Sequence, residues 1–221
     1  MKTRNTMRIL LLASLVGLAS CGGNSSENGQ TVVTGVVVLP NKCADCTPNS
    51  TAGNASFFLQ LLQQDQKQAQ IKTPTSAAGV YNTGDITSVV GNVDPNNQPS
   101  FVIIAQATTQ VQVGGIVPQL KVGSTLTKDF NSTTQIACVA AVLLTSVPNA
   151  CPGQPLPTFT EGQIDSGRTD VLERAASAIA DDVQFPDQQN CAACVVLGCT
   201  QNGAQYNDST AGCVRSAFAG C

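Results

Sequence analysis

The chain has 221 residues, with 11 Lys and Arg against 14 Asp and Glu, a net charge of −3, and no histidine. The missing histidine excludes a Ser-His-Asp or Cys-His nucleophile, His-ligated zinc and the Cys-x-x-Cys-His attachment of c-type haem. Tryptophan is absent, aromatics make up 4% of residues and Lys and Arg form no cluster, which argues against nucleic acid as a partner.

Lys2, Arg4 and Arg8 precede an apolar run from Ile9 to Leu18, the pattern of an export signal over residues 1–20. About 20 apolar residues are needed to span a bilayer, and this run is half that. The run ends in Leu18-Ala19-Ser20-Cys21, which resembles the lipobox of bacterial lipoproteins. That resemblance implies cleavage before Cys21, a diacylglyceryl thioether on its sulfur, and membrane attachment through the lipid alone. An ordinary secretory peptide with a chance cysteine is the alternative. Gly22 stands where an aspartate retains many such lipoproteins at the inner membrane, so the outer membrane is expected, on its periplasmic or its cell-surface face. Without residues 1–20 the chain keeps 201 residues, 8 basic and 14 acidic, a net charge of −6.

Residues 21–30, small and polar, form a flexible tether. A β-rich domain is expected over 31–125. Thr31–Leu39 is β-branched almost throughout, and Ala55–Leu62 and Phe101–Ala107 are further apolar runs of strand length. Phe57–Lys72 suits a strand or one helical face, with the strand preferred. Asp94-Pro95-Asn96-Asn97 fits a turn better than a calcium loop. Gly35, then Ala55-x-Phe57-x-Leu59, then Thr75-x-x-x-Gly79-x-Tyr81, then the strand at Phe101 resemble the transthyretin-like sandwich of carboxypeptidase regulatory-like domains. The resemblance covers residues 31–107. It implies an antiparallel, prealbumin-like β-sandwich with a tight turn at Gly79 and Tyr81 packed between the sheets.

A helical, cysteine-rich region is expected over 126–221, completing an α+β chain. Ser132-x-x-Gln135 reads as a capping box before a buried helix at Ile136–Leu144, closed by Pro148. Val147–Thr160, with four prolines, is a connector. Ser166–Asp182 is amphipathic, with Val171, Leu172, Ala175 and Ile179 on one face. Asp187–Cys199 and Ser209–Gly220 read as two short helices around a polar turn.

Nine cysteines follow Cys21, five of them in the last 31 residues. An exported protein meets an oxidising compartment, where disulfides are the default. The candidates are Cys43, Cys46, Cys138, Cys151, Cys191, Cys194, Cys213 and Cys221. A hairpin of the last two helices would bring Cys194 near Cys213 and Cys191 near Cys221, and Cys138 would pair with Cys151, leaving Cys199 as the free thiol. The Cys43-x-x-Cys46 and Cys191-x-x-Cys194 spacings also admit thiol–disulfide chemistry, and Cys191, Cys194 and Cys199 match a metal spacing weakly. Asp181-Asp182 reads as a solvated helix end, not an acid–base pair. No catalytic residue, metal or cofactor is expected. The expected role is a non-enzymatic structural, adhesive or binding module of the cell envelope with a protein or glycan partner. The alternative is an envelope thiol–disulfide protein.

Overall fold

A computed structural model describes residues 29–61, 68–71, 75–90, 100–108, 110–146, 151, 164–201 and 205–221. The export signal, Cys21, most of the tether, the turn at Asp94, Pro148 and all of the proline-rich connector except Cys151 lie outside the described residues.

The protein is α+β, with strands dominating the first half and helices the second. Strand β1 (Val32–Val36) sits between β5 (Val80–Asn82) and β8 (Thr125–Thr127). A second sheet runs in the order β4 (Gln68–Ile71), β3 (Ser56–Leu61), β6 (Phe101–Gln106), β7 (Gln112–Val117), antiparallel throughout. The segment Phe57–Lys72 therefore holds strands. A two-residue ribbon pairs β2 (Lys42–Cys43) with β9 (Gln184–Phe185). The expectation of purely antiparallel pairing is corrected at two places: β1 pairs with β8, and β2 with β9, in parallel. Parallel partners need long crossovers, and each pair encloses whole elements of the chain between its strands. Strand β8 also continues past residue 125, where the two regions were expected to divide.

Alternation along β6 sorts the core, because successive side chains of a strand point to opposite faces. Phe101, Ile103 and Ala105 pack with Val33, Val37, Leu59 and Tyr81 in one apolar cluster. Val102 and Ile104, between them, belong to a second cluster formed with the helices. The four-stranded sheet is thus a middle layer, with the three-stranded sheet on one side and helices on the other.

The residues of the transthyretin-like pattern each do something local. Gly35 lies opposite Tyr81. A Cβ there would run into the Lys128 carbonyl and come within 2.9 Å of the Tyr81 ring. Gly79 takes φ +72°, which a side chain would resist. Tyr81 is buried, stacks on Phe130 with ring centroids 5.0 Å apart, and donates its hydroxyl to the Lys128 carbonyl at 2.5 Å. Thr75 accepts from the Ala55 N–H at 2.7 Å and donates to the Ala52 carbonyl at 2.6 Å, fixing the start of β3.

After a single turn, α1 (Thr87–Val90), helix α2 (Ser132–Ser146) buries Ile136, Ala137, Ala140, Ala141 and Leu144 against β7, α3 and α4. Its cap lies one residue earlier than the sequence pattern suggests. The Asn131 side chain accepts from the Thr134 N–H at 3.2 Å, and Thr134 Oγ1 accepts from the Asn131 N–H at 2.9 Å. Asn131 and Thr134 form the reciprocal pair that Ser132 and Gln135 were expected to form. Helix α3 (Ser166–Ser177) starts at Asp165, whose side chain accepts from the Arg168 N–H at 2.7 Å. It stops at Ser177, so Asp181 and Asp182 lie in the turn that follows, and Ile179 is buried there. Helices α4 (Gln189–Cys199) and α5 (Asp208–Phe218) complete the chain, α5 capped by Asn207 and Thr210.

Candidate functional site

Among the described residues, four cysteine pairs stand at disulfide distance. Cys191 pairs with Cys221, their Cα atoms 5.8 Å apart, as a hairpin of α4 and α5 requires. Three of the expected assignments are corrected. Cys194 pairs with Cys151 at 5.4 Å, not with Cys213. Cys199 is not free but pairs with Cys213 at 5.9 Å. Cys138, expected to pair with Cys151, is unpaired among the described residues and is buried. The reasons are geometric. At 3.6 residues per turn, Cys194 lies about 140° around the helix from Cys199, so both cannot face α5. Helix α2 continues to Ser146, carrying the chain about 12 Å beyond Cys138 at 1.5 Å per residue. That is too far for the 4.4–6.8 Å Cα spacing of a disulfide to form near the helix end. Burial, helped by the Glu173 charge, pushes the Cys138 thiol up to about 12, so it stays protonated and inert near neutral pH.

The two C-x-x-C motifs separate here. Cys191 and Cys194 are bonded to different partners and form no dithiol pair of their own. Cys43 and Cys46 stand at disulfide distance from each other, Cα atoms 5.8 Å apart, in a partly exposed loop that begins at β2. Among the described residues, no group of three or more His, Cys, Asp or Glu is placed to hold a metal. No described helix is long and apolar enough to cross a membrane.

The same loop forms one wall of a cleft of about 240 Å³. Val38 and Leu39 line it where β1 runs on past Val36, held by bridges from Val37 to Phe130 and from Val38 to Thr51. Asn49, at φ +54°, reaches in from the loop and donates its amide to Asn41 Oδ1 at 3.1 Å. Asn131, Ser132 and Thr133 bring the first turn of α2 to the opposite wall, and Ala180 and Asp181 close it from the turn after α3. The joint is tied from outside. Asn41 donates to the Asp181 carbonyl at 3.3 Å, and Lys42 pairs with Asp182 at 3.2 Å. Asp182 is thereby engaged, Asp181 lines the cleft, and both lie in the turn after α3, not at the helix end that was expected.

Other polar groups are used in packing. Arg168 is buried and donates to the Thr200 carbonyl at 2.8 Å, anchoring the end of α4, and burial lowers its pKa. Lys128 pairs with Glu173, tying β8 to α3. Sequence reasoning passed over Phe130 as a core residue and Ser132 as a residue of the cleft. Phe130 stands alone among polar neighbours, and Ser132 was assigned to the helix cap.

No protein-family model matches the chain, and no curated protein matches it. Among solved structures, a 9R-lipoxygenase from Cyanothece PCC8801 is similar at a TM-score of 0.30 and 11% identity, over 85% of this chain. This chain spans 27% of that protein's length. A similarity at that level carries no argument about fold or activity.

Proposed function

We propose that the protein is a lipid-anchored lipoprotein of the cell envelope with a non-enzymatic structural, adhesive or binding role. The observation that carries this reading is Leu18-Ala19-Ser20-Cys21 behind a basic start and a short apolar run. Two features support it. Four cysteine pairs suit an oxidising compartment. The first strand begins at Val32, so residues 22–31 span at most about 35 Å between lipid and domain. Two or more acyl chains hold such a protein stably without a transmembrane helix. The outer membrane is the proposed site, because Gly22 follows Cys21. We read the two larger sheets as the leaves of a prealbumin-like sandwich, with Tyr81 and Phe130 stacked in their shared core.

The non-enzymatic reading rests on the side chains present. Histidine, the group that ordinarily titrates near neutrality, is absent, and the unpaired thiol is buried. The test is expression in a bacterium with labelled fatty acid: the protein takes up label and partitions into detergent, and Cys21→Ser abolishes both. Label persisting on that variant overturns the anchor. Turnover of esterase, glycosidase, peptidase or phosphatase substrates that tracks the purified protein overturns the non-enzymatic role. A second reading, thiol–disulfide exchange, is favoured only by the partly exposed Cys43–Cys46 pair. It requires that pair to cycle at a mild potential while the other three stay oxidised.

A further inference from the structure

We propose that the end of the three-stranded sheet at which the chain arrives from Cys21 is a membrane-docking surface, with the turn Lys121–Ser124 seated on phospholipid headgroups. The inference rests on the lipid anchor proposed above and says which end of the body that anchor turns to the bilayer.

The turn holds an apolar side chain out in water. Ser124 donates its N–H to the Lys121 carbonyl at 3.2 Å, so Val122 and Gly123 occupy the corner. Leu120, just before the turn, is buried in the cluster that holds Tyr81 and Phe130 and fixes the turn to the core. Val122 is nevertheless 54% exposed. Among the described residues, Val80 is the other large apolar side chain exposed to that degree, at 49%. Val80 lies opposite Val36, whereas the turn leads into β8, where Thr125 lies opposite Val32. The two exposed valines therefore mark opposite ends of β1. A single exposed apolar residue needs no partner, and Val80 is such a residue. Val122 differs in what stands beside it.

The tether arrives at this turn. Gly123 donates its N–H to Thr31 Oγ1 at 2.9 Å, and Val32 donates its N–H to the Ser124 carbonyl at 3.0 Å. A Cβ on Gly123 would stand 3.6 Å from the Gly29 Cα. Residues 22–28 separate Gly29 from Cys21, and that length of chain reaches at most about 29 Å. The lipid on Cys21 thus holds Val122 close to the bilayer, and docking is an intramolecular step. Turning Val80 to the bilayer would take about 13 Å of that reach in chain laid back along β1.

Charge sorts the two ends in the same sense. At the tether end stand the exposed Lys121 and Asp85, the latter accepting from the Thr87 N–H at 2.9 Å. At the other end Asp129 accepts from the Val36 N–H at 2.9 Å, Asp181 lines the cleft, and Asp182 pairs with Lys42. An anionic bilayer repels that acidic end, while Lys121 faces a phosphate at the balanced one. Burying the exposed half of Val122 among the headgroups favours the docked state by about fivefold, and Lys121 beside an anionic surface adds a similar factor.

The test is ¹⁵N NMR on the acylated protein purified from bacterial membranes and placed in nanodiscs of phosphatidylethanolamine and phosphatidylglycerol. A gadolinium-chelating lipid serves as the paramagnetic probe. The Val122, Gly123 and Ser124 amides should broaden far more than those of Val80, Tyr81 and Asn82. The variant V122D should lower the docked-to-free ratio by at least about fivefold, and K121E/V122D should make the broadening even at both ends. The control V80D should change nothing. Even broadening of both ends in the acylated native protein overturns the docking and leaves the anchor standing, as does an equal effect of V80D and V122D. A chain without an acyl group overturns the anchor and the docking together, and the mass of its N-terminal peptide tells the two failures apart. Self-association in detergent that V122D abolishes assigns the turn to a second copy of the chain and overturns the membrane surface.

Discussion

Reducing the disulfides should release α5 and leave α4 in place. Helix α5 has 11 residues and buries little: Ala211 and Val214 are covered, while Phe218 and Tyr206 are partly so. Burying one valine and one methyl group contributes about 2–4 kcal/mol, and an isolated helix shorter than about 12–15 residues is marginal in water. Cross-links make the difference. Cys199 and Cys213 are 14 residues apart and Cys191 and Cys221 are 30 apart. Loops of those sizes give about 3 and about 4 kcal/mol by chain entropy, not additive because one loop lies inside the other. Losing both should therefore lower the opening free energy of α5 by at least about 3 kcal/mol, which raises amide exchange roughly 100-fold. Helix α4 differs, because Ala192, Ala193, Val195, Val196 and Leu197 are all buried in the helical core. Hydrogen exchange by mass spectrometry on peptides covering 189–199 and 208–218, with and without reductant, measures this directly. Unchanged protection over 208–218, or equal loss in both peptides, would refute the reasoning.

Three further outcomes follow from single side chains. Asn131→Ala should cost about 1 kcal/mol in urea unfolding as a lost N-cap, whereas Ser132→Ala should stay within about 0.5 kcal/mol, reversing the order that the Ser-x-x-Gln pattern suggests. Burial, and secondarily the Asp129 charge, holds the Tyr81 phenol protonated well above its ordinary range, so the unfolded chain releases that proton first. Its contribution is complete below the unfolded pKa of about 10 and is lost as pH rises beyond it. Tyr81→Phe, which also loses the bond to the Lys128 carbonyl at about 1 kcal/mol, should therefore show a shallower fall in stability above that pH in chemical denaturation. Gly35→Ala places a methyl against the Lys128 carbonyl and within 2.9 Å of the Tyr81 ring. It should cost at least about 2 kcal/mol, read as a drop of several degrees in Tm.

Local patterns in the sequence carried the elements and little of their assembly. Strands β1, β3 and β6 are legible because β-branched and apolar runs of strand length are bounded by turn residues. The helices are legible because apolar spacing and caps repeat over a dozen residues. The direction of β8 is not legible, since alternation along a strand is the same whichever way its partner runs. The cap of α2 was misplaced by one residue because Ser132-x-x-Gln135 and Asn131-x-x-Thr134 overlap, and only backbone geometry chooses between them. Among the cysteines, Cys191–Cys221 follows from a helical hairpin alone. Cys151–Cys194 depends on where α2 and α4 lie against each other, which no spacing encodes. The cleft draws on residues 38–39, 49, 131–133 and 180–181, so no window of sequence contains it.

Strand β1 sets the start of the described chain and the cleft at opposite ends. At its start, the Thr31 N–H donates to Thr87 Oγ1 at 2.8 Å, and this end receives the chain that leads back to Cys21. At its other end, past Val36, Val38 and Leu39 enter the cleft. Seven residues of extended chain separate Thr31 from Val38, about 23 Å at 3.3 Å per residue. The loop that walls the cleft is fastened by Cys43–Cys46 within itself and by Asn41 and Lys42 to the turn after α3. One hydrogen bond and one ion pair thus join this loop to the turn after α3 across 140 residues of chain.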